Sequence, residues 1–373
     1  GFASREPSQD ELCRMRELVE QGMEEGAFGL TSGLAYPPGI YSSDAELEFV
    51  AGGLAKRRGL YLSHMRNQAD RSPECVEATI NVGRVNRIPV QVVHLKAREG
   101  DRPGMAAHLF GIIERARAEG IDVTVDQYPY TAASSTMRSL MPKWVHEGGV
   151  AGIVELLSDP VRRRPLHDEM AASERWRKCM EHGGGPRGIV LGQLPGTPQY
   201  TGMNLEAVAK DMGTDAVDAL LEVILKNRGC DQGVYFTMTE QDVRNVMVNP
   251  LVMVGSDGGI ALRGEFVHPR YCGTFPRVLG RYARDLKLFS MEEGVRRMTS
   301  LPASRLGLTR KGLLRPGMDA DMVLFDPGTI ADGNDYEHPT DPPVGIESVW
   351  VAGRLAAHRG RLTDERAGRV LRF

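Results

Sequence analysis

The chain has 373 residues, 41% hydrophobic and 25% charged, with a net charge of −3 at pH 7. That length suits one large α/β barrel with an appendage, and the balanced charge argues against nucleic acid or an acidic membrane as a partner. Five scattered cysteines, Cys13, Cys75, Cys179, Cys230 and Cys272, with no C-x-x-C, argue against a disulfide framework and a zinc ribbon and fit a reducing cytoplasm. No apolar run approaches the roughly 20 residues of a membrane helix, and no signal peptide is visible.

Ser8 with Glu11 forms a capping-box pattern ahead of Leu12, Met15, Leu18 and Val19 on one helical face. Residues 27–31 read as a strand. Ser43 with Glu46 opens a second helix, and Leu60-Tyr-Leu-Ser-His64 is a second strand. Ser72 as N-cap and Pro73 as first helical residue open a helix to about Arg84. A third strand over 89–94, a helix over 104–119 and a fourth strand over 121–125 follow. Strand–helix units of this length imply a parallel sheet, because parallel strands need a crossover.

From about 135 to 250 the rhythm breaks. Helical patterns, an Arg162-Arg-Arg164 run, a Gly183-Gly-Gly185 loop and strand candidates at 188–191 and 234–236 read as a lid-like insertion over one face of the sheet. The rhythm returns with a strand over 251–257 that ends in Asp257, then a helix capped by Ser290 and Glu293. From about 311, turns at Gly312, Pro316, Gly317, Gly353 and Gly360, with strands at 322–325 and 348–351, form a small β appendage. The expected units are therefore a barrel over 1–310 carrying the insertion and part of a β-sandwich over 311–373.

In parallel-strand barrels the active site lies at the C-terminal ends of the strands. His64 and His94 end successive strands, which puts two imidazoles on one rim, a pair suited to Zn²⁺ or a similar ion. Asp257 ends another strand and can complete that site or hold the attacking water. Lys96 shares the face of His94 if the strand continues; a buried Lys beside a cation is costly, so binding a substrate carboxylate or carbonyl is preferred for it. Arg66 and Arg270 are further cations for a carboxylate, with an ordinary ion pair the alternative, above all for Arg66. His268, in a loop at the same rim, either binds substrate or fixes the loop. Ser134 and Ser135 bind substrate or serve turn chemistry. His108 is packed or at the surface, and His146, His167, His182, His338 and His358 are expected in solvent. No nucleophile elbow, P-loop or dinucleotide fingerprint is present.

At these residues the sequence resembles the N-acyl-D-amino-acid deacylases (D-aminoacylases) of the amidohydrolase superfamily. The resemblance is carried by Gly26-Ala-Phe-Gly-Leu-Thr-Ser-Gly33, Ser63-His-Met-Arg66, Val93-His-Leu-Lys96, Asp126-Gln-Tyr-Pro-Tyr130, Gly255-Ser-Asp-Gly258, His268-Pro-Arg-Tyr-Cys-Gly-Thr-Phe-Pro-Arg277 and Arg315-Pro-Gly-Met-Asp-Ala-Asp321. It implies a TIM-like (β/α)8 amidohydrolase barrel with a small C-terminal β appendage, Zn²⁺ on His64 and His94, and Asp257 as the acid/base. It also implies substrate contacts from Lys96, Tyr128 and Ser134, with His268 and Arg270 in a loop closing over an N-acylated D-amino acid. Family members carry an N-terminal segment with a His-x-His pair and a Cys ligand. Gly1 is expected to begin after it, leaving a barrel without its first strands that needs self-association or the upstream segment to close. A cyclic amidase of the dihydroorotase or hydantoinase type, or a catalytically dead remnant acting as a partner subunit, are the alternatives.

Overall fold

The structure, a computed structural model, describes residues 2–100, 102–174, 176 and 184–373. The expectations for Cys179, His182 and Gly183 fall outside these residues. With strands numbered along the chain, β1 (Gly29–Gly33), β2 (Leu60–His64), β3 (Val90–Val92), β4 (Val123–Gln127) and β8 (Val252–Val254) form a parallel sheet in the order β1-β2-β3-β4-β8. This is an arc of the expected α/β barrel. Helix Gln9–Glu24 precedes β1, and helices Asp44–Ala51, Ser72–Asn86 and Met105–Ala118 connect the first four strands. Their apolar faces, Val76, Ile80, Leu109 and Ile113 among them, bury against Val90, Val92, Val123 and Val125. Helix amphipathicity and a near-continuous apolar run in each buried strand thus meet in one core.

Local signals place these elements. The Ser8 hydroxyl accepts from the Glu11 amide at 3.3 Å while the Glu11 carboxylate accepts from the Ser8 amide at 2.8 Å, completing the capping box. Ser43 caps through the Glu46 amide and Ser290 through the Glu293 amide. Ser72 differs: it is the first helical residue, its hydroxyl donates to the Ala69 carbonyl, and Arg71 holds the cap position. The strands also start later than the apolar runs suggest. Pairing sets β1 at Gly29–Gly33, opposite Leu60–His64. A Cβ on Gly29 would lie 1.8 Å from the Leu60 carbonyl oxygen, so glycine is what lets the two backbones approach.

The stretch after β4 builds its own antiparallel sheet, order β5-β7-β6, from β5 (Ala132–Thr136), β6 (Ile189–Leu191) and β7 (Gln232–Phe236). Helices Gly149–Ser158, Pro160–Ala172 and Ala216–Asn227 pack a separate apolar cluster that includes Met137, Leu157, Leu191, Leu220 and Ile224. Arg138 and fully buried Asp231 staple it, Nε to Oδ1 at 2.8 Å. The C-terminal residues form a third sheet, order β12-β11-β10-β9, from β9 (Met322–Phe325), β10 (Ile346–Val351), β11 (Arg354–His358) and β12 (Arg361–Leu362). The last two strands lie on either side of the Gly360 turn, where only turns are expected from the sequence. No helix among the described residues is long and apolar enough to cross a membrane.

Gly29→Ala is expected to destabilise the protein by about 3 kcal/mol through overpacking. Gly22→Ala, in the first helix with nothing within 4 Å of its added Cβ, is expected to stabilise it by roughly 0.5–1 kcal/mol. Urea midpoints check both, and equal shifts of the same sign would contradict the close approach at Gly29.

Candidate active site

His64 closes β2, and His94 lies two residues beyond the end of β3. The expected strand over 89–94 stops at Val92 because His94 turns into the left-handed region, with φ +38°, which ends strand geometry. The two rings meet nearly edge to face at 80°, with His64 Nδ1 2.8 Å from His94 Nε2. Burial, then the charges of Lys96 and Arg270, pushes His64 down to about 3. Burial and the charge of Lys96 hold His94 well below the ordinary imidazole range. Both rings are therefore neutral at pH 7, the form that ligates metals. Neutral nitrogens converging from adjacent strand ends fit a divalent cation with nitrogen preference.

Asp257 stands three residues beyond β8, again with positive φ, +48°. Two non-glycine residues in this costly region at one rim are a mark of a functional site. The Asp257 carboxylate pairs with Arg270 Nη1 at 2.9 Å, and Arg270 also lies over the Tyr128 ring at 4.8 Å. Lys96 Nζ donates to the Gln68 side-chain oxygen and sits 3.3 Å from His94 Nδ1. Burial, then Arg270, lowers its pKa to about 7. Burial raises the Tyr128 phenol, which keeps its proton throughout the neutral range.

A cavity of about 470 Å³ brings His64, His94, Lys96, Tyr128, Ser134 and Asp257 together. Ser134 lies on β5, so this segment is a strand rather than the loop its composition suggests. Two expected substrate contacts stand elsewhere. His268 is 1% exposed and spends both nitrogens on backbone, Nε2 on the Ala132 carbonyl at 3.0 Å and Nδ1 on the Arg270 amide at 3.0 Å. Arg270 is buried behind Asp257 and does not line the cavity. Arg66 lines it, yet donates to the Ser42 carbonyl and pairs with Asp44 at 3.4 Å.

Tyr36 and Gln68 also line the cavity, and Asp126 stands behind it. Tyr36 lies 4.8 Å, ring to ring, from His64. Gln68, four residues past His64, has a buried Nε2 with no hydrogen-bond partner among the described residues. Asp126 accepts from the His94 amide at 2.6 Å; in the sequence it shows as an acid at the end of an apolar strand and as the first residue of a motif that carries the resemblance. His146 and His167 are buried rather than solvated, whereas His338 and His358 are exposed. His167 lies outside the cavity in a cluster with Asp215 and Asp218. Its Nε2 meets Asp215 at 2.9 Å and its Nδ1 meets Asp168 at 3.0 Å. Asp215 also caps the helix Ala216–Asn227, so capping and ion pairing account for this group.

The chain is 33% identical to the D-aminoacylase of Alcaligenes xylosoxydans xylosoxydans over 367 residues, 98% of this chain and 66% of that protein. It is also 33% identical to an N-acyl-D-glutamate deacylase of the same organism, covering 65% of that relative. A crystal structure of D-aminoacylase superposes with TM-score 0.80 at 32% identity, covering 99% of this chain and 68% of that one. The chain belongs to the D-aminoacylase family. The general amidohydrolase family model matches residues 215–357. The N-acyl-D-glutamate deacylase of Bordetella bronchiseptica, solved with zinc and a phosphonate mimic of the tetrahedral intermediate, also gives TM-score 0.80, at 32% identity and 67% coverage of that chain. A D-hydantoinase from Bacillus sp. AR9, 15% identical with TM-score 0.51, shares the fold alone. The chain thus spans 66% and 65% of the length of the two Alcaligenes relatives.

In this D-aminoacylase-family site the neutral imidazoles have a consequence for pH. Unfolded histidine titrates near 6.5, and His64 in the fold near 3, so between those values the unfolded state binds more protons. The stability contribution is full above about 6.5 and is lost as pH falls toward about 3. The urea midpoint of metal-free protein should fall from pH 7 to pH 5 and fall less in His64→Asn/His94→Asn. Equal slopes would show that the rings are not held neutral.

Proposed function

We propose that this chain hydrolyses the amide bond of N-acyl-D-amino acids, with Zn²⁺ held by His64 and His94, to give a carboxylate and a free D-amino acid. The observation that carries the reading is the meeting of two neutral imidazoles with Asp257 in one cavity. The 33% identity to a D-aminoacylase over 98% of the chain supports it. When bound, the cation supplies Lewis acidity for the acyl carbonyl and an acidified water as nucleophile. Asp257, oriented by Arg270, would take the proton of the attacking water and return it to the leaving nitrogen. Tyr128 keeps its proton and donates to the oxygen that gains charge. Lys96 and the Gln68 amide bind the substrate carboxylate. His268 and Arg270 reach substrate through the loop they hold and through Asp257.

Residues 135–250 act as the lid over this barrel unit (1–310), and 311–373 form the appendage. On this side the cavity is lined by Ser134 and Ser135 of β5 and Tyr235 of β7, with Ser139, Leu140, Glu174 and Thr237 from the flanking segments. The cation next to them, Arg138, is committed to Asp231. This wall suits an uncharged D-side chain better than the carboxylates of D-glutamate or D-aspartate. The free cysteines Cys13, Cys75, Cys230 and Cys272 fit a cytoplasmic setting. The open edges of β1 and β8 are where self-association would pair strands.

Zinc content and hydrolysis of N-acetyl-D-methionine against its L-isomer test the reading. D-selective turnover that is lost to a chelator and restored by zinc is expected; metal-free, inactive protein would favour the dead-remnant alternative. Asp257→Asn should lower kcat by roughly 10²–10⁴-fold with zinc retained, and unchanged turnover would remove Asp257 from the chemistry. N-acetyl-D-methionine should exceed N-acetyl-D-glutamate in kcat/KM by about 100-fold, because an unpaired carboxylate is costly to bury. Thr237→Arg should narrow that ratio, and a wild-type preference for D-glutamate would overturn this side-chain reading.

A further inference from the structure

Asp126 is a buried carboxylate behind the cavity-lining His94, and the proposed chemistry does not use it. It lies on β4, beside the turn that carries His94. Its Oδ1 accepts from the His94 amide at 2.6 Å, and its backbone carbonyl accepts from the next amide, Leu95, at 2.9 Å. Its other oxygen accepts from the Gln91 side-chain amide. Gln91 in turn accepts from the Thr124 hydroxyl at 3.1 Å, and Gln91 and Thr124 are register partners across β3 and β4. A relay of four side chains and backbone groups therefore ends on the one amide whose residue carries φ +38°. A non-glycine residue holds such a backbone only where its surroundings over-determine it.

We propose that Asp126 is a positioning residue for the metal centre: anchored by Gln91, it fixes the left-handed turn at His94 and so aims that imidazole at His64. The inference rests on the zinc site proposed above. Zn²⁺ dissociation constants, from competition with a chromophoric chelator, are measured with melting temperatures for wild type, Asp126→Ala, Asp126→Asn and Gln91→Leu. Asp126→Ala and Gln91→Leu should bind zinc about 10–100-fold more weakly, the usual effect of removing a group that orients a ligand. Asp126→Asn keeps the acceptor for the His94 amide, with the Gln91 amide turned over to match, and should stay within about threefold of wild type. Gln91→Leu leaves Asp126 in place, so it reads the anchor even if Asp126→Ala does not fold. Wild-type zinc affinity in Asp126→Ala and Gln91→Leu overturns the inference. So does Asp126→Asn as weak as Asp126→Ala, which would make charge the active property. Wild type that binds no zinc at all overturns instead the zinc site on which the inference rests.

Discussion

Parallel register around β3 is the constraint on which the cavity depends. Ser63, Val92 and Val125 stand in one row across β2, β3 and β4, and Val125 continues it to Val252 on β8. Register partners point to the same face, and a slip of one residue would turn every side chain over. From that row His64 is one residue on and His94 two. Regular strand geometry would put the two rings on opposite faces. The chain resolves this by ending β3 at Val92 and reversing φ at His94, so the rings converge at 2.8 Å. The strain at His94 is thus the local cost of bringing together two imidazoles that the ladder alone would separate.

The electrostatics follow from the same convergence. Two imidazoles packed beside Lys96 and Arg270 can only be neutral, and Lys96 itself is eased to about 7. Asp257 answers Arg270 directly. Asp126, pushed up to about 6 by burial, is held by the His94 amide and Gln91. Buried cations persist only where acids and hydrogen bonds are arranged against them, and here each acid also orients a neighbour: Asp257 meets Arg270, and Asp126 meets the turn at His94.

Segments remote in sequence lock the rim. His268 binds the Ala132 carbonyl at the start of β5. Arg277 reaches the Pro129 carbonyl at 2.8 Å and Asp332 at 2.6 Å, and Asn334 donates to the Pro269 carbonyl at 2.9 Å. The His268–Arg277 segment is therefore clamped between the sheet of the insertion and the C-terminal part of the chain. That clamp explains why its polar residues face protein rather than the cavity.

Much of this was legible in the sequence. Apolar periodicity and Ser caps mark the alternating elements of the arc, since burial and orphan amides are local demands. Polar residues closing apolar runs single out His64, His94 and Asp257, because side chains at parallel-strand ends share one rim. Motif resemblance points to the family. Other features rest on contacts between distant segments. Sequence cannot show that Ser134 sits on a strand, since β5 exists only by pairing with β7, about a hundred residues later. Nor can it show that His268 and Arg270 turn away from the cavity, that His146 and His167 are buried, that Gln68 lines the cavity or that Asp126 holds the His94 amide. Periodicity reports which face of an element is apolar; which polar group meets which is decided only when the elements pack, because hydrogen bonds and ion pairs depend on distances that the chain acquires in folding.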